Sequence, residues 1–311
     1  VLNGAASQRD GIVLGIGDDA AVLDPGGENV VVTTDSLVEA VHFKWGWCSP
    51  EDVGFKAVAV NLSDLAAMGA HPLTALVSLT IPRSMSDVEV LEVAMGIGLA
   101  AGRFAVGVAG GNVTGTDGPF EVTVTAIGLT DGGRFLTRSG AEPGDAILAS
   151  GPLGSAAMGL FILDDGTIDQ ADYPNLLKSF RRPEPRVDIG RMLCHEPGVH
   201  CAIDVSDGLL ADLGHVLDSS GVGAEVEVEL LPIDPESRRL YGQGGPDPVL
   251  GALTGGEDYQ LLTCMDRNLV DRFEALGMTR IGTINDRKGH VDLRLDGAKY
   301  PMPERTGHRH R

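Results

Sequence analysis

The sequence predicts an α+β protein made of α/β two-layer domains. Apolar runs of strand length alternate with capped helical stretches along the whole chain. Many of those strands look antiparallel, which suits α+β layers better than a doubly wound parallel sheet. The chain of 311 residues is also long enough for two ordinary domains, each with its own core. A composition that is 43% hydrophobic and 22% charged is that of a globular protein. The 43 glycines suggest tight turns and backbone that approaches other backbone or a ligand.

In chain order, VVVTTDSL (30–37) reads as a buried strand that opens into polar residues. Ser49-Pro50-Glu51-Asp52 is a helix start, with a capping serine, proline at the first helical position and acids at the positive dipole end. That helix continues through FKAVAVNLSDLAAMG and stops at Gly69, with Pro72 beyond it. LTALVSLTIP is a strand, and Ser86 with Glu89 forms a capping box for the next helix. The stretch Ala94 to Gly111 has membrane-like hydropathy, but Arg103 interrupts it; a helix is expected to end at Gly102 and a strand to begin near Phe104. EVTVTAIGLT is an alternating strand, and DGGRFLTRSGAEPGD is the expected junction between domains 1–135 and 136–311.

A second α/β unit follows. DAILASGP leads as a strand into the helix GSAAMGLFIL, and Asp164 to Pro174 reads as loop. Two prolines break Arg181 to Arg186. CAIDVSDGLLADLGHVLDSSG reads as strand, tight turn and helix, and AEVEVELLPI as a strand. A Gly/Pro-rich loop (Gly242 to Pro248) precedes LTGGEDYQLLTC, a turn into a strand, and a last helix and two strands finish the chain.

A net charge of −20 argues against nucleic-acid binding, which needs clustered lysine and arginine. It still allows phosphate binding if divalent cations sit between. Cys48, Cys194, Cys201 and Cys264 form no CxxC pair and no Cys/His metal spacing, and read as reduced thiols of a cytoplasmic protein. No signal peptide or membrane span is expected, and Val1 in place of an initiator methionine implies that the chain lacks its natural start.

Five segments set acids or turn glycines beside apolar runs: GIGDDAAVL, VVVTTDSL, AVNLSDLAAMGA, VAGGNVTG and CAIDVSDGLL. Asp35, Asp64 and Asp204 lie in or beside these runs without a lysine or arginine in the same segments. A buried carboxylate must be paired at long range, protonated or metal-bound. Hard cations such as Mg2+ take carboxylate, carbonyl and hydroxyl oxygens. Thr33, Thr34 and Asp35 offer such oxygens at a strand end, Asn61 and Asp64 share a helix face, and Asp204 and Asp207 flank Ser206 at a strand-to-helix turn. No P-loop, protein-kinase or GxSxG signature is present. Gly96 and Gly98 read as helix-packing glycines, and Gly151 with Gly154 as a tight turn or an anion-holding helix start.

The strings GIGDDAAVL, TTDSLVEAVHF, KAVAVNLSDLAAMGA, GGNVTG, LTRSGAEPGD, IDVSDGLLADLGHVL and LTGGEDYQLL run in one order from about Gly15 to Leu262. Together they resemble the ATP-binding superfamily of aminoimidazole-ribotide synthetase, most closely its thiamine-monophosphate kinase branch. The resemblance implies a two-domain fold whose N-terminal domains pair into a β-barrel in a homodimer. It implies transfer of phosphate from ATP to thiamine monophosphate by in-line displacement, with several Mg2+ ions. Asp19, Thr33, Thr34, Asp35, Asp64, Asn112, Asp204 and Asp207 resemble the metal ligands, of which Asp35, Asp64 and Asp207 are the catalytic set. Gly111, Asn112, Arg138 and Ser206 resemble the ATP contacts, and His42 and Glu257 the substrate contacts. Asp18 reads as a support for the ligands or as a loop acid, and Arg138 as a phosphate partner or one half of an ion pair.

Two departures stand out. Asn112 replaces a family aspartate, which weakens one metal position or shifts the role to Asp117. The end of the chain, Thr306 to Arg311, lacks the family's aromatic residue, and His308 and His310 read as a tail. No cysteine precedes Cys48 or follows Cys264, unlike the selenophosphate-synthesising and hydrogenase-maturation branches. An aminoimidazole-ribotide synthetase-like enzyme, a non-catalytic nucleotide-binding subunit and a metal phosphatase that hydrolyses ATP are the other readings.

Overall fold

The computed structural model describes residues 11–304 together with 306 and 307. Val1 and the two tail histidines lie outside the described residues. A first sheet is built from β1 (Ile12–Leu14), β2 (Ala21–Leu23), β3 (Val30–Val38), β4 (His71–Pro82), β5 (Gly107–Thr116) and β6 (Glu121–Leu129). Its order is β1-β2-β3-β6-β4-β5, and only the β4–β5 pair is parallel, because a helix crosses over between them. A second sheet holds β7 (Ala146–Ala149), β8 (Val199–Asp204), β9 (Gly223–Glu227), β10 (Leu261–Met265), β11 (Thr279–Asn285), β12 (Val291–Leu295) and β13 (Ala298–Lys299). Its order is β13-β12-β9-β11-β7-β10-β8, with one parallel pair, β9 with β12. Two mainly antiparallel sheets with helices are the α+β arrangement that the sequence pattern predicts.

Helix α1 (Pro50–Ala67) is the centre of the molecule. Ser49 caps it, accepting from the Asp52 N–H, and the Asp52 side chain accepts in return from the Ser49 N–H. The helix is buried on nearly every side, so it needs no amphipathic stripe. It packs on β3 and β6, on α2 (Asp87–Arg103), and on β8 of the second sheet. Gly54 and Gly96 let α1 and α2 approach closely: a Cβ on Gly96 would stand 1.9 Å from the Glu51 carbonyl oxygen. Gly98, by contrast, faces open space, so only Gly96 of the pair read as packing glycines has that role.

Three local expectations need correction. Helix α2 runs through Gly102 to Arg103, and β5 starts at Gly107, because Ala105 in a left-handed conformation turns the chain first. Strand β9 ends at Glu227, and the next three residues coil into a helical turn. Short helices fill stretches that composition leaves as loops or unassigned: α4 (Pro174–Arg181), α5 (Val187–Cys194), α7 (Pro235–Gly242) and α8 (Pro248–Thr254). Asp234-Pro235 and Asp247-Pro248 carry the cap-plus-proline signal, with each aspartate accepting from the N–H two residues on. The remaining helices are α3 (Ser155–Asp165), α6 (Leu209–Ser220) and α9 (Val270–Glu274). Among the described residues, no helix is long and apolar enough to cross a membrane.

Candidate active site

A cavity of about 580 Å³ lies where α1 meets both sheets, within the size range of small-molecule sites. Asp19, Thr33, Thr34, Asp35, His42, Asp64, Arg138, Asp204, Ser206, Asp207 and Glu257 line it. Sequence segments more than 200 residues apart therefore meet at one place.

The local geometry follows from the elements. Thr33 and Asp35 stand two apart on β3 and share a face. The Thr33 hydroxyl donates to Asp64 Oδ2 at 2.5 Å, and the Asp35 N–H donates to Asn61 Oδ1 at 2.9 Å, so α1 is pinned to β3 at both points. Thr34, between them, gives its hydroxyl to the Val124 carbonyl of β6 at 3.1 Å. Ser63, next to Asp64, donates to Asp204 Oδ2 at 2.6 Å, which ties α1 to the end of β8.

The turn after β8 holds Ser206 and Asp207. Asp212, one turn into α6, accepts the backbone N–H groups of Ser206, Asp207 and Gly208 on a single oxygen at 3.0–3.1 Å. Gly208, at φ +118°, has the backbone freedom this turn requires. The Glu257 N–H returns to the Ser206 carbonyl at 2.8 Å, with Glu257 itself at φ +66°. Strain of that kind is common where a fold holds a functional group in place.

Asp19, Asp64 and Asp204 each bring one oxygen within 4.8 Å of the others. Burial is the first cause that raises their pKa values, and mutual repulsion adds to it: Asp19 rises to about 8, Asp204 to about 6, and Asp64 well above the ordinary 3.8. Arg138 answers part of this charge, with Nη2 at 2.5 Å and Nε at 3.1 Å from Asp19 Oδ1. This is the ion-pair alternative that the sequence left open for Arg138. Asp19 Oδ2 stays buried with no partner among the described residues. Three converging acids with one orphaned oxygen suit a hard divalent cation, which resolves both the repulsion and the missing contact. Asp18 supports the cluster: its carboxylate accepts the N–H groups of Asp19 and Arg138.

His42 accepts the Val38 N–H on Nδ1 at 3.0 Å, which leaves the hydrogen of a neutral ring on Nε2. Glu257 accepts from Lys56 Nζ at 3.2 Å, and that ammonium, 1% exposed, also lies 3.9 Å from the Phe180 ring centroid.

Gly111 and Asn112 are not brought to the acids. Both lie on β5, three strands from Asp35, or roughly 14 Å at the usual strand spacing. The register Ser36–Thr123–Ser78–Asn112 sets Asn112 on the sheet face opposite to that of Asp35. Its amide donates to the Thr114 hydroxyl, and it lines a separate groove between α2, β4 and β5. Asp117 is exposed and paired with Arg83 at 2.9 Å. The helix start at Gly154 is no anion site: Asp258 already accepts the N–H groups of Gly154 and Ala156. Sequence reasoning missed Trp47 and Phe180 in the cavity wall, as well as Lys56 and Asp212. Lys56 carried a signal, as a lone cation within an apolar helical run; Trp47 and Phe180 reach the wall only through tertiary packing.

Residues 17–130 match the AIR synthase related protein, N-terminal domain, and residues 142–292 the corresponding C-terminal domain. Over 300 residues the chain is 37% identical to the thiamine-monophosphate kinase of Rhodopirellula baltica, covering 93% of this chain and 88% of that one. The chain belongs to the thiamine-monophosphate kinase family. The Bacillus subtilis member is 36% identical, with 96% of this chain and 93% of its own covered. Among solved structures, AaThiL complexed with AMPPCP and TMP superposes with a TM-score of 0.84 at 34% identity, covering 94% of this chain and 91% of that one. The family's two-domain fold is thus that of this chain.

Proposed function

We propose that this protein transfers the terminal phosphate of ATP to thiamine monophosphate, giving thiamine diphosphate and ADP. The observation that carries the proposal is the acid cluster: Asp19, Asp64 and Asp204 converge in a cavity with an orphaned carboxylate oxygen. The names of the chain's relatives supply the acceptor and the donor.

In this reading Asp19, Asp35, Asp64, Asp204 and Asp207 hold several Mg2+ ions, with Thr33 and Thr34 beside them. Bound there, Mg2+ supplies charge neutralisation between anionic protein and anionic phosphates. The protein contributes mainly position, as in-line transfer requires. Ser63, Thr33 and Asn61 fix the acids on rigid elements, and Asp212 fixes the turn bearing Ser206 and Asp207. Arg138 and Ser206 bind the phosphates of ATP, and His42 and Glu257 orient the acceptor.

Residues 1–135 form the ATP- and metal-binding and dimerisation unit in this proposal, and 136–311 the C-terminal unit. A homodimer is supported by the exposed edge strand β5, which pairs on one side with β4 and has no strand on the other among the described residues, and by exposed Leu91, Met95, Leu99 and Val113. Gly111 and Asn112, remote from the acids of their own chain, would contact ATP only across such a dimer interface. A cytoplasmic location accords with the unpaired cysteines. The test is incubation with ATP, Mg2+ and thiamine monophosphate, with thiamine diphosphate as the expected product. ATP binding without that product would refute the reading in favour of a nucleotide-binding subunit.

A further inference from the structure

We infer that Trp47 is the specificity-determining residue for the acceptor, stacking on its aromatic ring within the cavity. The inference rests on the reading of this site as a kinase acting on a phosphorylated, cationic heteroaromatic compound.

The cavity is not acidic throughout. Trp47, Phe180, Leu160, Ala157 and Val41 form an apolar stretch of its lining. Trp47 meets Phe180 edge to face, with ring centroids 6.2 Å apart, so the indole is backed by a fully buried ring. Phe180 in turn touches Lys56, which holds Glu257. Glu257 therefore lines the cavity near this wall with Lys56 as its ion-pair partner. The Trp47 ring already accepts a cation, since Lys44 Nζ lies 4.0 Å from its centroid on a half-exposed side chain. A flat, positively charged ring can take the place of the half-exposed Lys44 ammonium over this indole.

Position along α1 gives the spacing. Lys56, at the aromatic wall, and Asp64, in the acid cluster, are eight residues apart on one helix, about 12 Å at 1.5 Å per residue. A ligand with its phosphate at the acids and its ring on Trp47 must span about that length. A phosphate joined through a short chain to two linked heteroaromatic rings is long enough, whereas a small sugar or glycerol phosphate is not. Trp45, the other tryptophan, packs instead on Phe43 and Phe120 and does not line this cavity.

The experiment uses the full chain. Trp47→Ala and Trp47→Phe are compared with wild type for acceptor KM, ATP KM and kcat. The alanine variant is expected to raise acceptor KM by about five- to a hundredfold, the range of ring stacking on an aromatic side chain. Its ATP KM should stay within about twofold, and the phenylalanine variant should recover most of the loss. In a Trp45→Phe background, thiamine monophosphate should quench the remaining Trp47 fluorescence and glycerol 3-phosphate should not.

An unchanged acceptor KM in Trp47→Ala overturns the inference, as does quenching that is absent or equal for both ligands. Turnover of thiamine monophosphate by wild type without quenching rejects the Trp47 role and leaves the kinase reading standing. Quenching by thiamine monophosphate without turnover supports Trp47 as the ring platform and rejects the transfer reaction.

Discussion

Removing divalent cations and raising the pH should weaken this protein through its acid cluster. Burial and mutual repulsion lift Asp19 to about 8 and Asp204 to about 6, and Asp64 moves the same way. In the unfolded chain these groups return to about 3.8. The folded state then holds protons that the unfolded state releases, so the contribution is fully present below about pH 4 and is lost as pH rises through the folded values. For Asp204 the rise from 3.8 to about 6 is worth about 3 kcal/mol at 1.36 kcal/mol per pKa unit, about half of it lost between pH 5 and pH 8. Asp19 adds to that loss, though not independently, because the two charges interact. His200, raised by its hydrogen bond to Asp145, acts in the same direction but lies outside the cluster.

Urea unfolding at pH 5 and pH 8, in chelator and in excess Mg2+, measures this. The metal-free midpoint should fall with pH, and Mg2+ at a hundred times its Kd should restore about 2.7 kcal/mol at pH 8. Asp204→Asn should reduce both the fall and the recovery. A metal-free midpoint that holds steady from pH 5 to pH 8 would refute the electrostatic account. An Mg2+ shift that is identical in Asp204→Asn would exclude that carboxylate from the metal site.

Three further substitutions probe the scaffold. Lys56→Met removes the buried partner of Glu257 and should cost about 2–4 kcal/mol in urea unfolding; in a cycle with Glu257→Gln the two effects should fall short of additivity. Gly96→Ala puts a methyl 1.9 Å from the Glu51 carbonyl oxygen and should lower Tm by several degrees, whereas Gly98→Ala, in open space, should leave Tm unchanged or raise it. Asp212→Ala leaves three N–H groups of the Ser206–Gly208 turn without their acceptor; turnover should drop about tenfold or more, with far-UV circular dichroism unchanged.

The sequence carried the fold where local chemistry and burial agree. Ser49-Pro50 and the Ser86–Glu89 box mark α1 and α2 because caps are local hydrogen bonds. The strict alternation of β6 survives because one face is buried and the other only half-buried. Helices α4 and α5 were not legible, since eight residues each give too short a period to separate from loop. The acids were legible for a different reason: Asp64 and Asp204 interrupt apolar runs, which a solvated aspartate has no cause to do. Their meeting was not legible, because it depends on α1 packing between two sheets. Asn112 shows the same limit, since its distance from Asp35 follows from strand order and its face from register. The aromatic wall combines Trp47 with Phe180, 133 positions later in the chain, and no local pattern links them.

If the converging aspartates hold divalent cations, phosphate transfer to thiamine monophosphate should depend on those cations. The most direct measurement is the rate of thiamine diphosphate formation across an Mg2+ titration, in wild type and in Asp64→Asn. No product is expected without divalent cation, with a saturable rise as Mg2+ is added and a rate lower by on the order of 100-fold or more in Asp64→Asn. Product formed at full rate in chelator, or an Asp64→Asn rate equal to wild type at every Mg2+ concentration, would contradict that role of the aspartates.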